Sequence, residues 1–205
     1  MRGFFITLEG PEGAGKSTQA QLLAAALQER GIATHVTAEP GGDPVAVQCR
    51  EILLHSKIPI SDRAELLLYL AARAQHVEMI IRPALAEGKV VISDRFADSS
   101  LAYQGYARGL DIDMIMSLNC FATGGLTPDL TLLLDLPPED GMARQAQRNR
   151  FEEESLEFHK KVRAGFLELA AREPERIHVI DASGSVEDVQ ARIFDVVQSA
   201  IAKLR

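Results

Sequence analysis

The stretch GFFITLEGPEGAGKS, residues 3–17, decides how the rest of the chain is read. Residues 3–9 (GFFITLE) form a continuous apolar run of strand length, the pattern of a strand buried on both faces. Residues 10–17 (GPEGAGKS) then match G-x-x-x-x-G-K-[ST], directly after the strand and before a helical pattern at 19–30. A chance match in a chain this long is roughly a 1 in 100 event, and the strand–loop–helix setting lowers that further. Backbone N–H groups can point inward around a polyphosphate only in torsions that a Cβ obstructs, which is why the loop is rich in glycine. Lys16 is placed to neutralise β and γ phosphates, and the Ser17 hydroxyl to ligate a magnesium ion. The loop, Gly10, Pro11, Glu12, Gly13, Ala14, Gly15, Lys16, Ser17 and Thr18, therefore implies a nucleoside triphosphate site.

Working outward, residues 33–38 read as a short strand, 89–93 (KVVIS) and 130–136 (LTLLLDL) as buried strands, and 176–180 as the last. Helices are expected at 19–30, ended by Gly31, around 50–55, in a long segment N-capped by Asp62, at 111–122 and at 186–204. Continuous apolar strands alternating with helices imply an α/β fold with a mostly parallel sheet covered on both faces. Ligands of such sheets sit outside the carboxyl ends of the strands. Glu9, Glu39, Asp94 and Asp135 all fall at or near those ends, so the chain converges on one rim.

The bulk properties set bounds. At 205 residues and 22.4 kDa the chain suits one domain, 1–205, with a full core. Hydrophobic residues at 46% and charged residues at 25% exclude collagen-like and wholly disordered readings. Cys49 and Cys120 are too few for a disulfide scaffold or a cysteine zinc site. With no signal-peptide pattern and no apolar run near ~18 residues, a cytoplasmic protein with no membrane partner is expected. A net charge of −7 argues against a nucleic-acid surface.

The arginines narrow the chemistry. The base-reading N/T-K-x-D of GTP switches is absent, and the D-x-x-G at 181–184 follows the last strand, where it cannot sense a γ-phosphate. A small phosphotransferase with a small acceptor remains. Arg50, Arg73, Arg95, Arg144, Arg148 and Arg150 offer planar, bidentate donors for a second phosphate; a lone arginine is more often a solvated surface charge, less so for Arg95, which follows a buried strand's carboxyl end and faces the ligand rim. Tyr69 and Arg73 are spaced i, i+4 and share a helix face. That pair suits a planar base and one of its carbonyls, and it suits a core tyrosine beside a solvent-directed arginine as well. Residues 99–104 (SSLAYQ) could read a base edge or cap a helix.

Taken together, GPEGAGKS, EPGG at 39–42, AARAQ at 71–75, DRFADSSLAYQG at 94–105 and NRFE at 149–152 resemble the bacterial thymidylate kinases, and the resemblance runs through essentially the whole chain in order. It implies a P-loop kinase fold with a five-stranded parallel sheet and helices on both faces. It further implies a homodimer and γ-phosphoryl transfer from ATP to dTMP with Mg²⁺, giving dTDP and ADP for dTTP synthesis. By the same resemblance Asp94 joins Ser17 at the metal, Glu39 lies near metal and phosphates, and Glu12 lies near the acceptor 3′-hydroxyl. Arg50 and Arg95 would grip the dTMP phosphate, Tyr69 would stack on thymine, and Arg73 would reach a thymine carbonyl. Ser100 and Gln104 would sit at the N3 edge and Tyr103 against the deoxyribose. Position 13 is Gly, as in relatives that deliver a catalytic arginine from a lid; here a short basic lid around 144–151 offers Arg144, Arg148 and Arg150. Ala38 stands where many relatives have Arg before E-P-G-G, and Asn149 where Asp is common. Two rivals stay open on the residues alone: a kinase for another nucleotide or for a deoxynucleoside, with Glu39 as its base, and a regulatory ATP-binding protein.

Overall fold

In a computed structural model, residues 3–144, 150–151 and 154–202 are described. They form a five-stranded parallel sheet in the order β2-β3-β1-β4-β5, with β1 Phe4–Glu9, β2 Thr34–Ala38, β3 Val90–Asp94, β4 Leu130–Asp135 and β5 Ile177–Asp181. The helices are α1 Lys16–Gln28, α2 Pro44–His55, α3 Asp62–His76, α4 Arg82–Ala86, α5 Ala97–Ser100, α6 Ile112–Thr123, α7 Pro138–Ala143, α8 Leu156–Arg172 and α9 Val186–Ala202. Both layers cover the sheet, as the unbroken apolar strands required. Phe4, Ile6 and Leu8 of β1 pack with Leu23 and Leu27 of α1 and Ile193 and Val197 of α9. Phe5 faces the other way, against Val77, Ile81 and Phe96. On that same side Leu133 of β4 joins Tyr103 and Phe166.

β1 is central, and the register sets Leu8 beside Asp94 and Asp94 beside Ala38, so the strand ends form the expected rim. Chain order reverses direction across the sheet at β1, which opens a crevice at its carboxyl end.

Three local expectations change. Asp62 is not the N-cap of α3: Ser61 keeps an extended backbone (φ −68°, ψ 151°), while Asp62 is already helical and acts as a first-turn acid on the helix dipole. Helix α1 begins at Lys16, directly off Gly15 at φ 86°, earlier than residue 19. Helix α8, capped by Ser155 through Phe158 N–H, was not anticipated. Two π-helical segments, Val77–Ile81 and Leu101–Ala107, also follow helices without a break, in the positions where such bulges often mark function.

Candidate active site

The N-terminus of α1 carries no side-chain cap and no acid in its first turn, unlike α2, whose Asp43 accepts from Val45 and Ala46 N–H. Its free amides and positive end are therefore available to an anion. Lys16 is buried and donates to the Gly10 and Pro11 carbonyls at 3.2 and 2.8 Å. Burial, and then the charge of Arg95, pull its pKa down to about 8 against Glu12, Asp94 and Glu9. Gly13 sits at φ 73°, and a Cβ there would lie 2.2 Å from the Gly141 carbonyl oxygen of α7. A Cβ at Gly141 would in turn meet the Glu12 carbonyl at 2.1 Å. Loop and α7 thus touch backbone to backbone.

From β3 the chain turns through Arg95 at φ 72°, a left-handed conformation costing a non-glycine residue about 1–3 kcal/mol. The corner is held from both sides. Arg95 N–H donates to Leu8 O at 2.9 Å, and Phe96 N–H donates to Glu9 Oε1 at 2.7 Å. Glu9 Oε2 also accepts the Ser99 hydroxyl at 2.6 Å. Burial, and then Asp98, raise the Glu9 carboxyl to about 7, against the opposing pull of Ser99, Arg95 and the Phe96 amide. The Arg95 guanidinium donates to Glu12 Oε1 at 2.7 Å, to Gly10 O at 3.1 Å, to Ser99 Oγ and to the Tyr103 hydroxyl, which itself donates to Glu12 at 3.0 Å. Burial would raise the Glu12 carboxyl, but Arg95, Lys16 and Tyr103 hold it down at about 2.

A cavity of about 520 Å³ opens here, and nearly all the residues singled out from sequence line it. It is lined by Glu12, Gly13, Gly15, Lys16, Ser17, Thr18, Asp94, Arg95 and Arg144 together with Ala38, Glu39, Arg50, Tyr69, Arg73, Ser100, Tyr103 and Gln104. Gly10 and Pro11 contribute the carbonyls that receive Lys16. Ala14 lines a second, adjoining cavity of about 360 Å³ with Gln19 and residues 182, 184–186 and 189. Arg144 lines both cavities and donates to Ala182 O at 3.4 Å. Arg150 lines neither. It donates to Leu53 O at 2.9 Å and to Glu65 Oε2 at 2.7 Å. Arg148 and Asn149 lie outside the described residues.

Arg73 is neither solvent-directed nor free. At 1% exposure it donates to Glu39 Oε2 (2.7 Å), Ser100 Oγ (2.9 Å), Asn119 Oδ1 (2.6 Å) and Phe96 O (2.9 Å), leaving one of its five N–H groups without a partner among the described residues. The second Glu39 oxygen meets His76 Nδ1 at 3.0 Å, and His76 Nε2 meets Thr37 Oγ1 at 2.7 Å. Both Glu39 oxygens are thus engaged, one by Arg73 and the other by His76. Sequence reading missed Asn119, His76, Glu65 and Arg108. The available signal was a polar residue on a helix face otherwise apolar, Glu65 lying i−4 from Tyr69 and i−8 from Arg73.

Ser17 Oγ donates to Asp94 Oδ2 at the loop mouth. A hydroxyl and a carboxylate are hard oxygen donors of the sort magnesium takes alongside water and phosphate. Among the described residues no group of three His, Cys, Asp or Glu side chains could hold a metal alone, so phosphate oxygens would have to complete such a site. Nor is any described helix long and apolar enough to cross a membrane.

The family model described as thymidylate kinase matches residues 8–193. A thymidylate kinase from Synechococcus sp. (strain JA-2-3B'a(2-13)) is 57% identical, covering 95% of this chain and 94% of its own. One from Pseudomonas putida (strain GB-1) is 50% identical over 100% of both. The crystal structure of thymidylate kinase from Ehrlichia chaffeensis superposes with a TM-score of 0.81 at 35% identity, covering 97% of this chain and 99% of that one. On these full-length likenesses the chain belongs to the thymidylate kinase family.

Proposed function

We infer that the protein phosphorylates dTMP to dTDP with ATP, and that the cavity between the phosphate loop and the Tyr69–Arg73–Gln104 wall is where both substrates meet. The carrying observation is that the glycine-loop residues Gly13, Gly15, Lys16 and Ser17 line one cavity together with Tyr69, Arg73, Arg95 and Gln104. The acceptor is itself a phosphate, mostly dianionic near neutral pH with a second pKa of about 6, so no residue has to generate its nucleophile. Catalysis then rests on alignment and charge. Lys16 offsets charge on the ATP phosphates, and Arg50 and Arg95 hold the dTMP phosphate against repulsion. Ser17 and Asp94 would hold Mg²⁺, which when bound supplies further neutralisation of the β and γ phosphates. Tyr69 would stack on the base, and Arg73 would use its remaining N–H on a base carbonyl. Glu12 and Tyr103 would meet the sugar. Arg144, reaching both cavities, is the described lid arginine best placed for the transferring group.

We read 1–205 as one catalytic unit, with 144–151 as its lid. Exposed Leu67 on α3 and exposed Met116 and Phe121 on α6, which packs against α3, support a homodimer. A cytoplasmic location fits the substrates. The test is ADP release with Mg·ATP against dTMP, dUMP, UMP, dCMP, AMP, GMP and thymidine. Selective turnover of dTMP is expected; preference for another acceptor would overturn the roles of Tyr69, Arg73 and Gln104.

A further inference from the structure

Glu65 is fully buried beside Gln104, which lines the cavity, and each described side chain hydrogen-bonded to it donates. Its Oε1 accepts Gln104 Nε2 at 2.9 Å and Arg108 Nε at 3.3 Å. Its Oε2 accepts Arg108 Nη2 at 3.3 Å and Arg150 Nη2 at 2.7 Å. A carboxylate with donors on both oxygens offers its neighbours acceptors only. The Gln104 amide can face it in one sense alone, NH₂ toward Glu65. Gln104 is 1% exposed and lines the cavity, and no donor among the described residues meets its Oε1.

We propose that Glu65 is a positioning residue for base recognition: it locks the Gln104 amide so that the carbonyl oxygen, an acceptor, faces the nucleobase. This rests on reading the cavity as the dTMP site. A pyrimidine with an N–H at position 3 then finds a partner, whereas a cytosine presents a lone pair to an oxygen and is rejected. Arg108 and Arg150 serve the same end, because they keep both Glu65 oxygens occupied by donors. The guanidinium of Arg150 therefore works behind the base and away from the phosphates.

The test compares kcat/KM for dTMP and 5-methyl-dCMP, which share the methyl group and differ at the N3 and C4 edge. Glu65→Gln frees the Gln104 amide to rotate, so the preference for dTMP should narrow roughly tenfold, the scale of one hydrogen bond made or opposed. Glu65→Asp should restore much of it. In a Gln104→Ala background Glu65→Gln should leave the ratio unchanged. A Glu65 that only supports the fold would lower both substrates by one factor and do so in either background, which would overturn the proposal. Should Glu65→Gln fail to fold, wild-type protein decides by NMR. One Gln104 carboxamide proton, identified by its loss in Gln104→Ala, should exchange slowly without dTMP; exchange that is fast until dTMP is added refutes the lock. A wild type that ignores dTMP would defeat the functional reading instead, and the exchange measurement would still judge Glu65.

Discussion

The Arg95 guanidinium meets the Glu12 carboxylate at 2.7 Å from a backbone held at φ 72°, so the glycine-rich loop itself fixes where this arginine points. Truncating one side of a charge-assisted contact between protein and bound ligand, such as an arginine gripping a phosphate, typically costs about 2–5 kcal/mol. Arg95→Ala should therefore lower kcat/KM for dTMP by about 10²–10³-fold while ATP affinity, measured by calorimetry, changes little. Unaltered dTMP kinetics would remove Arg95 from the acceptor site.

Lys16 is a proton acceptor in waiting. With its pKa near 8 in the free protein, a polyphosphate beside Nζ pulls it back up. ATP binding near pH 8 should thus take up part of a proton, and affinity should decline as pH rises past 8. At pH 6.5 Lys16 is charged throughout and contributes no uptake. Titrations in two buffers of different ionisation enthalpy read this directly; heats that agree at pH 8 would mean a fully charged lysine in the free protein.

Gly13→Ala combines a left-handed backbone with a collision against Gly141 O. Neither is relieved by rotating a side chain. A loss of about 1–3 kcal/mol in stability and a large fall in ATP affinity are expected, visible as a lowered Tm and weaker nucleotide stabilisation. A variant with wild-type Tm and KM for ATP would show that loop and α7 separate freely.

Arg144 and Arg150 should part company. Arg144→Ala is expected to lower kcat by 10-fold or more with modest KM changes, since its side chain reaches both cavities. Arg150→Ala should act on KM for dTMP through Glu65 and leave kcat nearly intact. Steady-state kinetics on the pair separates them, and the reverse pattern would reassign the transition-state arginine.

The sheet and the loop could be read from residues because their signals are local: apolar runs and glycines at fixed spacing. The wiring of Arg73 could not. Its i, i+4 relation to Tyr69 says which face it shares, but Glu39 comes from the end of β2 and Asn119 from α6, and only the fold brings them to it. Helix α8 hides its apolar stripe, Phe158, Val162, Phe166 and Leu169, among six charged residues. Ser155 ahead of it was the one clear start signal. The π-helical turns have no sequence punctuation of their own and follow from the packing around them.

The contact between Gly13 and Gly141 also limits how this chain can change over time. Two stretches remote in sequence share one seam without room for a side chain, so a change in one has to be accommodated by the other. An arginine at the loop position, as some relatives resembling this chain carry, cannot be grafted here alone. A chimera that imports such a loop must also import the helix after β4 that makes space for it.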